Sequence, residues 1–317
     1  MLAFAGAAGS DAAEPGSTGY LFTYFVRNGE DGLHLAWSAD GYHWEALNAG
    51  RSYLAPKVGQ SRLMRDPCVA RGPDGTYHLV WTSGWWENNI GYASTKDFIT
   101  WTAERELPVM AHEPTVRNSW APEVFWDTKR GEFLVFWSST IPGRFPGTGS
   151  ASEDQLNHRL YATTTLDFTT FTTTRLYYDP GFCVIDATIF PVGDRFGFIV
   201  KDETKFPEPK KHLRMALGDD PEGLWGKLAA PFTPAGVWAE GPTAIKIGDD
   251  YLVYFDAYTQ KHYAALRSRD LATWEEVTAK MTFPHEGTEQ RMRHGTVIAV
   301  PIELIEKLRT TTVTAAP

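Results

Sequence analysis

Thr76-Tyr77-His78-Leu79-Val80-Trp81 packs aromatic and β-branched side chains around one histidine, which is the composition of a half-buried β-strand. The same pattern stands at Gly19-Tyr20-Leu21-Phe22-Thr23-Tyr24-Phe25, Glu132-Phe133-Leu134-Val135-Phe136-Trp137, Arg195-Phe196-Gly197-Phe198-Ile199-Val200 and Asp250-Tyr251-Leu252-Val253-Tyr254-Phe255. The lead aromatics Tyr20, Tyr77, Phe133, Phe196 and Tyr251 are 57, 56, 63 and 55 residues apart. Five copies at one period mean a repeat architecture, in which each unit buries its apolar face only by stacking on its neighbours.

Each copy is followed by a second strand: Leu33 to Trp37, Ile90 to Ala93, Arg159 to Thr163, Leu213 to Leu217 and His262 to Leu266. A turn comes next, with Asp four residues before an aromatic: Asp40/Trp44, Asp97/Trp101, Asp167/Phe171 and Asp270/Trp274. Asp suits such a turn because its carboxylate accepts from backbone amides just ahead of it. The fourth copy is degenerate, with Pro221 in the Asp position before Trp225.

Four strands per repeat and five repeats predict an all-β chain, a five-bladed β-propeller. The strand that opens each blade is read at Arg65-Asp66-Pro67-Cys68-Val69-Ala70, Trp120-Ala121-Pro122-Glu123-Val124-Phe125, Val184-Ile185-Asp186-Ala187-Thr188-Ile189 and Ala239-Glu240-Gly241-Pro242-Thr243-Ala244-Ile245. None precedes Tyr20. The missing one is found at the other end, as Arg293-His294-Gly295-Thr296-Val297-Ile298-Ala299, so the C-terminal strand is expected to pair with the N-terminal blade and close the ring. Residues 18–302 then form a single domain, with 1–17 a disordered or leader remnant and 303–317 a C-terminal tail.

The 317 residues carry 39 acidic against 30 basic side chains, a net charge of −9, and no Lys/Arg block. That argues against nucleic acid or an anionic membrane as partner. With 12 Trp and 14 % aromatic residues, the surface suits a neutral, hydroxyl-rich ligand. The only cysteines, Cys68 and Cys183, lack metal-ligand or redox spacing and are expected free and buried. The chain is expected to act as a monomer on an oligo- or polysaccharide. Its compartment stays open between periplasmic or secreted and cytoplasmic.

In a propeller the opening strands line the central channel, so their leading ends converge. Here they bring Asp66, Glu123, Asp186, Glu240 and His294 together, one ionisable residue per blade at a common register. An isolated buried charge costs several kcal/mol, so five coincident ones imply use. Carboxylates without a Ser/His or Cys/His pair suggest acid–base hydrolysis of a glycoside. The acid is the demanding part. A free Glu of pKa ~4.3 is about 1 % protonated near pH ~6.3, so a useful acid needs its pKa raised by roughly 2, about 2.7 kcal/mol, from burial and a neighbouring negative charge.

Asp in Arg-Asp-Pro, Glu in Trp-Ala-Pro-Glu, Asp in Ile-Asp-Ala, Glu in Glu-Gly-Pro and then Arg-His-Gly, in that order from about Tyr20 to Pro301, resemble glycoside hydrolase family 43. The resemblance implies Asp66 as general base, Asp186 as modulator of the acid's pKa, Glu240 as general acid, and hydrolysis by single displacement with inversion. It also implies that His294 faces, through water, a structural calcium ion in the channel. No other cofactor is required. The outer strands that precede Asp66 resemble a branch of arabinosidases and galactofuranosidases. The expected activity is therefore an exo-acting α-L-arabinofuranosidase, with β-D-galactofuranosidase and then β-xylosidase as alternatives. A non-catalytic glycan-binding propeller is the contrasting class.

Trp120, Phe182 and Trp238, close in sequence to these carboxylates, are candidate sugar platforms, and Glu123 a candidate partner for sugar hydroxyls. Trp85 and Trp86 are placed at the rim. Arg65, Arg214, Arg291 and Arg293, the last as a substrate-binding residue, are candidate partners of carboxylates or hydroxyls. Two connections exceed hairpin length, Ile141 to His158 and Asp202 to His212, and are expected to wall the pocket toward a chain end.

Overall fold

Tyr77–Thr82 is the second strand of a four-stranded antiparallel sheet in the computed structural model, which describes residues 18–314. The expectation for residues 1–17 lies outside the described residues. The first blade holds β1 (Thr18–Phe25), β2 (His34–Ser38) and β3 (Glu45–Ala46). The second holds β4 (Arg65–Arg71), β5 (Tyr77–Thr82), β6 (Ile90–Thr95) and β7 (Arg105–Leu107). The third holds β8 (Trp120–Asp127), β9 (Glu132–Ser139), β10 (Arg159–Thr165) and β11 (Arg175–Tyr178). The fourth has only β12 (Val184–Val192), β13 (Arg195–Asp202) and β14 (His212–Gly218), while the fifth has β15 (Glu240–Ile247), β16 (Asp250–Ala257), β17 (His262–Ser268) and β18 (Glu275–Glu276).

β19 (Arg293–Pro301) pairs antiparallel with β1 from Thr18↔Pro301 to Phe25↔Arg293, so the five-bladed propeller closes as the strand patterns require. The turns explain the repeat. Asp97 Oδ1 accepts from the amides of Ile99 and Thr100 at 3.0 and 2.8 Å, and Asp270 Oδ1 accepts from Ala272 and Thr273 at 2.9 and 2.7 Å. The fourth copy, without that Asp, keeps the bridge to its aromatic, Gly218 to Trp225, as the second and third do at Thr95–Trp101 and Thr165–Phe171, but it has no outer strand.

The core lies between blades and not within them. Leu79, Trp81 and Phe98 of the second blade pack with Leu21 and Leu35 of the first, and Val80 and Ile90 pack with Phe133 and Trp137 of the third. Cys68 and Cys183 are free and buried. The segment expected as a tail contains a helix: α1 (Pro146–Gly149) lies in the Ile141–His158 connection, and α2 (Ile302–Thr310) follows β19. Ile305 and Leu308 on α2 are fully buried in the cluster shared by the first two blades, each contributing about 1.5–3 kcal/mol of apolar burial. Beyond it Val313 exchanges two hydrogen bonds with Asn48, at 2.8 and 3.0 Å. The propeller domain therefore runs past residue 302. Among the described residues no helix is long and apolar enough to cross a membrane.

Candidate active site

Every channel strand carries an extra residue at its leading end. The register slips by one between Arg65 and Cys68, Trp120 and Glu123, Ile185 and Thr188, Glu240 and Thr243, and opposite Thr23 and Phe25 in the closing strand. These are β-bulges, which re-aim a side chain at the cost of local strain. Asp66, Ala121, Asp186 and Gly241 sit there with φ of 51°, 46°, 52° and 57°. The bulge lifts Asp186 out of the alternation of the apolar Val184–Ile189 strand.

The bulges also correct the common register expected for the five ionisable residues. They occupy three tiers. Glu240 is level with Arg65, Trp120, Ile185 and Arg293, while Asp66, Asp186 and His294 share the bulge tier with Ala121 and Gly241. Glu123 is deeper, level with Cys68, Thr188, Thr243 and Thr296. It accepts from Thr188 Oγ1 at 3.1 Å and lines a cavity of about 1020 Å³ formed by the trailing halves of the channel strands. Glu123 thus faces the far half of the channel, away from the tier that holds Glu240.

In the bulge tier His294 Nδ1 stands 3.3 Å from Asp66 Oδ1, and Thr82 Oγ1 donates to Asp66 Oδ2 at 2.8 Å. Burial alone would raise Asp66, but the hydrogen bond and charge of His294, the charge of Arg65 and the Thr82 hydroxyl together hold its carboxyl well below the usual range. Burial disfavours charge on His294, yet Asp66, Asp186 and Glu123 outweigh it and push the imidazole up to about 9. Asp186 is raised to about 6, first by burial and then by Glu240 and Asp66, against the pull of His294 and Lys201. Burial likewise raises Glu123 to about 7.

Glu240 behaves differently from the sequence expectation. Burial works to raise it, but Lys201, Arg293 and Arg65 prevail and lower it. Arg293 Nη2 donates to Glu240 Oε1 at 2.8 Å, and Lys201 Nζ lies 3.5 Å from Oε2. Arg293 is itself held by Asp256, a fully buried carboxylate that also pairs with Arg291 at 2.8 Å. Of the two, Asp186 is therefore the carboxyl whose burial favours a proton, and Glu240 the one whose neighbouring cations favour charge.

The rim separates the aromatic candidates. Trp120 donates from Nε1 to the Trp85 carbonyl at 2.7 Å, with the Trp85 and Trp86 rings 5.4 and 5.7 Å away. Trp86 is 59 % exposed and lies under the Arg117 guanidinium at 5.3 Å, so this trio forms an open aromatic wall. Trp238 stands elsewhere on the rim, beside Tyr258 at 6.0 Å and Lys205 at 4.4 Å. Phe182 is not brought to the carboxylates. It packs on the core between the third and fourth blades, with Arg214 over its ring at 5.6 Å.

The surroundings of His294 offer no cage of direct side-chain ligands for a calcium ion. Its Nδ1 is committed to Asp66, and among the described residues no three His, Cys, Asp or Glu side chains form a ligand set, so an ion there would be held through water. The sequence did not single out Thr82, Lys201 or Asp256, which occupy one equivalent position, opposite Arg65, Ile185 and Glu240 on the neighbouring strand of their blades. Their signal was a polar residue at the end of an otherwise apolar strand.

The arrangement offers a carboxylate whose partners favour its charge, a second carboxyl whose burial favours a proton, a third held by two cations, and an aromatic wall. A family model described as a probable glycosyl hydrolase domain matches residues 16–305. An α-L-arabinofuranosidase of Bifidobacterium longum subsp. longum is 27 % identical over 281 residues, covering 74 % of this chain and 25 % of that protein. The chain thus spans about a quarter of the length of the curated relative it matches. Among solved structures, an α-L-arabinofuranosidase from Lactobacillus brevis matches with a TM-score of 0.53 at 17 % identity, covering 68 % of this chain and 72 % of that one. A thermostable family-43 glycoside hydrolase matches with a TM-score of 0.51 at 18 % identity, covering 67 % and 71 %.

Proposed function

The chain belongs to the family of probable glycosyl hydrolase domains related to glycoside hydrolase family 43, and we propose that it is an inverting, exo-acting furanosidase whose first substrate is a terminal α-L-arabinofuranoside. The observation that carries this reading is geometric: Asp66, Asp186 and Glu240 stand on adjacent tiers at the leading end of the channel, Asp66 against His294 and Glu240 between Arg293 and Lys201. Around them His294, Arg65 and Thr82 favour the ionised form of Asp66, while burial favours the protonated form of Asp186.

In the proposed reaction a water molecule attacks the anomeric carbon and gives its proton to Asp66. The glycosidic C–O bond breaks as Glu240 delivers a proton to the leaving oxygen; Asp66 then releases the water's proton to solvent and Glu240 takes one back from solvent, with Asp186, held by the Gly241 amide, as its neighbouring carboxyl. Lys201 and Arg293 favour this proton delivery, because they stabilise the carboxylate that Glu240 becomes. The choice of sugar is supported by the name of the Bifidobacterium relative. β-D-Galactofuranoside, also a five-membered ring, is the next candidate.

The test is a panel of nitrophenyl furanosides and pyranosides assayed with the wild type and Asp66→Asn. The α-L-arabinofuranoside is expected to be cleaved fastest, with the variant inactive on it. Cleavage of pyranosides alone would overturn the furanosidase reading, and an active Asp66→Asn would overturn the base.

A further inference from the structure

A second charged cluster touches the carboxylate site. Lys201 Nζ, 3.5 Å from Glu240 Oε2, is also 2.8 Å from Glu203 Oε2. The other oxygen of Glu203 pairs with Lys211, whose Nζ is 3.0 Å from Glu153 Oε2, and Lys205 Nζ lies 3.3 Å from Glu153 Oε1. Glu240, Lys201, Glu203, Lys211 and Glu153 therefore form a string of alternating charge. Both lysines are nearly inaccessible, at 3 % and 1 % exposure. A buried ammonium is tolerated only with well-placed counter-ions, so Glu203 fixes where the charge of Lys201 stands.

The string joins the two long connections to the acid. Glu153 belongs to the Ile141–His158 segment and Glu203 and Lys211 to Asp202–His212. These segments also bond through their backbones, with the Lys205 and Phe206 amides donating to the Ala151 carbonyl at 2.8 and 3.1 Å. The Ala239 amide, next to Glu240, donates to the Lys211 carbonyl at 2.9 Å.

We propose that Lys201 is a positioning residue that sets the proton affinity of Glu240, and that Glu203, with Lys211 and Glu153 behind it, holds Lys201 to that task. This rests on Glu240 being the general acid. Other groups facing Glu240 are Arg65 and Asp66 from β4, Asp186 from β12, Asp256 and Tyr258 from the β16 side, Tyr263 from β17, and Arg293 with His294 from β19. Arg293 divides its guanidinium between Glu240 and Asp256, at 2.8 and 3.1 Å. Lys201 is the cation whose counter-ion comes from the Asp202–His212 connection, so it couples the docking of the two long connections to the proton on the acid.

The experiment is a ¹³C-carboxyl NMR titration of the glutamate-labelled full chain, with the Glu240 signal assigned by its loss in Glu240→Gln. Lys201→Met is expected to raise the Glu240 midpoint by about one pH unit or more, and Glu203→Gln, which frees the lysine charge, to lower it. Lys201→Arg stays near wild type. Lys201→Gln, which keeps a hydrogen-bonding group against Glu203, gives the same upward shift where the methionine variant does not fold. A midpoint unmoved by loss of the lysine charge, or moved the same way by both charge removals, overturns the proposal. The underlying reading fails separately: an active Glu240→Gln removes the acid role and leaves the titration standing.

Discussion

The amide of Gly241 donates a hydrogen bond to Asp186 Oδ2 at 2.9 Å, across the seam between the fourth and fifth blades. Gly241 directly follows Glu240, so the bond fixes Asp186 relative to the acid. The position requires glycine twice over. Its φ is +57°, and a Cβ there would come within 2.3 Å of His294 Cγ. Gly241→Ala is expected to displace His294 and lower kcat at least about 10²-fold, the scale of a misplaced reacting group, while the chain still folds. Circular dichroism with kinetics checks this, and wild-type kcat in the variant contradicts it.

Glu240→Gln should discriminate between leaving groups. A nitrophenolate departs with little help, whereas a sugar alkoxide needs a proton. Loss of general acid catalysis, worth about 10²–10⁴-fold, is expected in full on an arabinofuranosyl disaccharide and only in small part on the nitrophenyl glycoside. Equal losses on the two substrates argue against Glu240 as acid.

The pH profile follows from the two sides of the site. Asp66 stays ionised well below the ordinary carboxylate range, so no acid limb tied to the base is expected above about pH 4. Asp186 loses its proton as pH rises through about 6, so kcat/KM falls on the alkaline side. Asp186→Asn removes a negative neighbour of Glu240, which lowers the affinity of Glu240 for its proton. The alkaline limb should therefore move to lower pH along with a loss of rate. A limb in the same place would return Asp186 to a purely structural role.

His294 is the positive partner of Asp66 in the channel. Its pKa is raised from about 6.5 to about 9, so the ion pair with Asp66 contributes its full stability below about pH 6.5 and loses it as pH rises through about 9. Chelation is expected to leave the melting temperature unchanged at pH 7. A drop of several degrees on adding EDTA, reversed by calcium, would show that an ion shares the channel after all.

Much of this was legible from the repeat. The lead aromatics fix the blade count, and the Asp turns place the outer strands because each is a local interaction. The orphan strand at Arg293–Ala299 has only one unpaired edge to join. The tiers were not legible, because a single bulge residue shifts which side chains reach the channel and bulges leave no pattern stronger than a stray Gly or Pro. Lys201 and Glu203 fall where the Arg195–Val200 strand passes into the Asp202–His212 connection, and nothing in that stretch of sequence announces the burial of Lys201. The direction of Glu240 depends on cations from β13 and β19, remote in sequence. The helix at Ile302–Thr310 was readable from Ile302, Ile305 and Leu308 but was masked by its short length and terminal position.

The central claim, that Asp66 activates water on the face opposite the leaving group, is tested most directly by the anomeric configuration of the first-formed sugar. Proton NMR of an α-L-arabinofuranoside digest, recorded before mutarotation, is predicted to show the β-anomer first. An α-anomer appearing first would mean retention, and would contradict the assignment of Asp66 as a base.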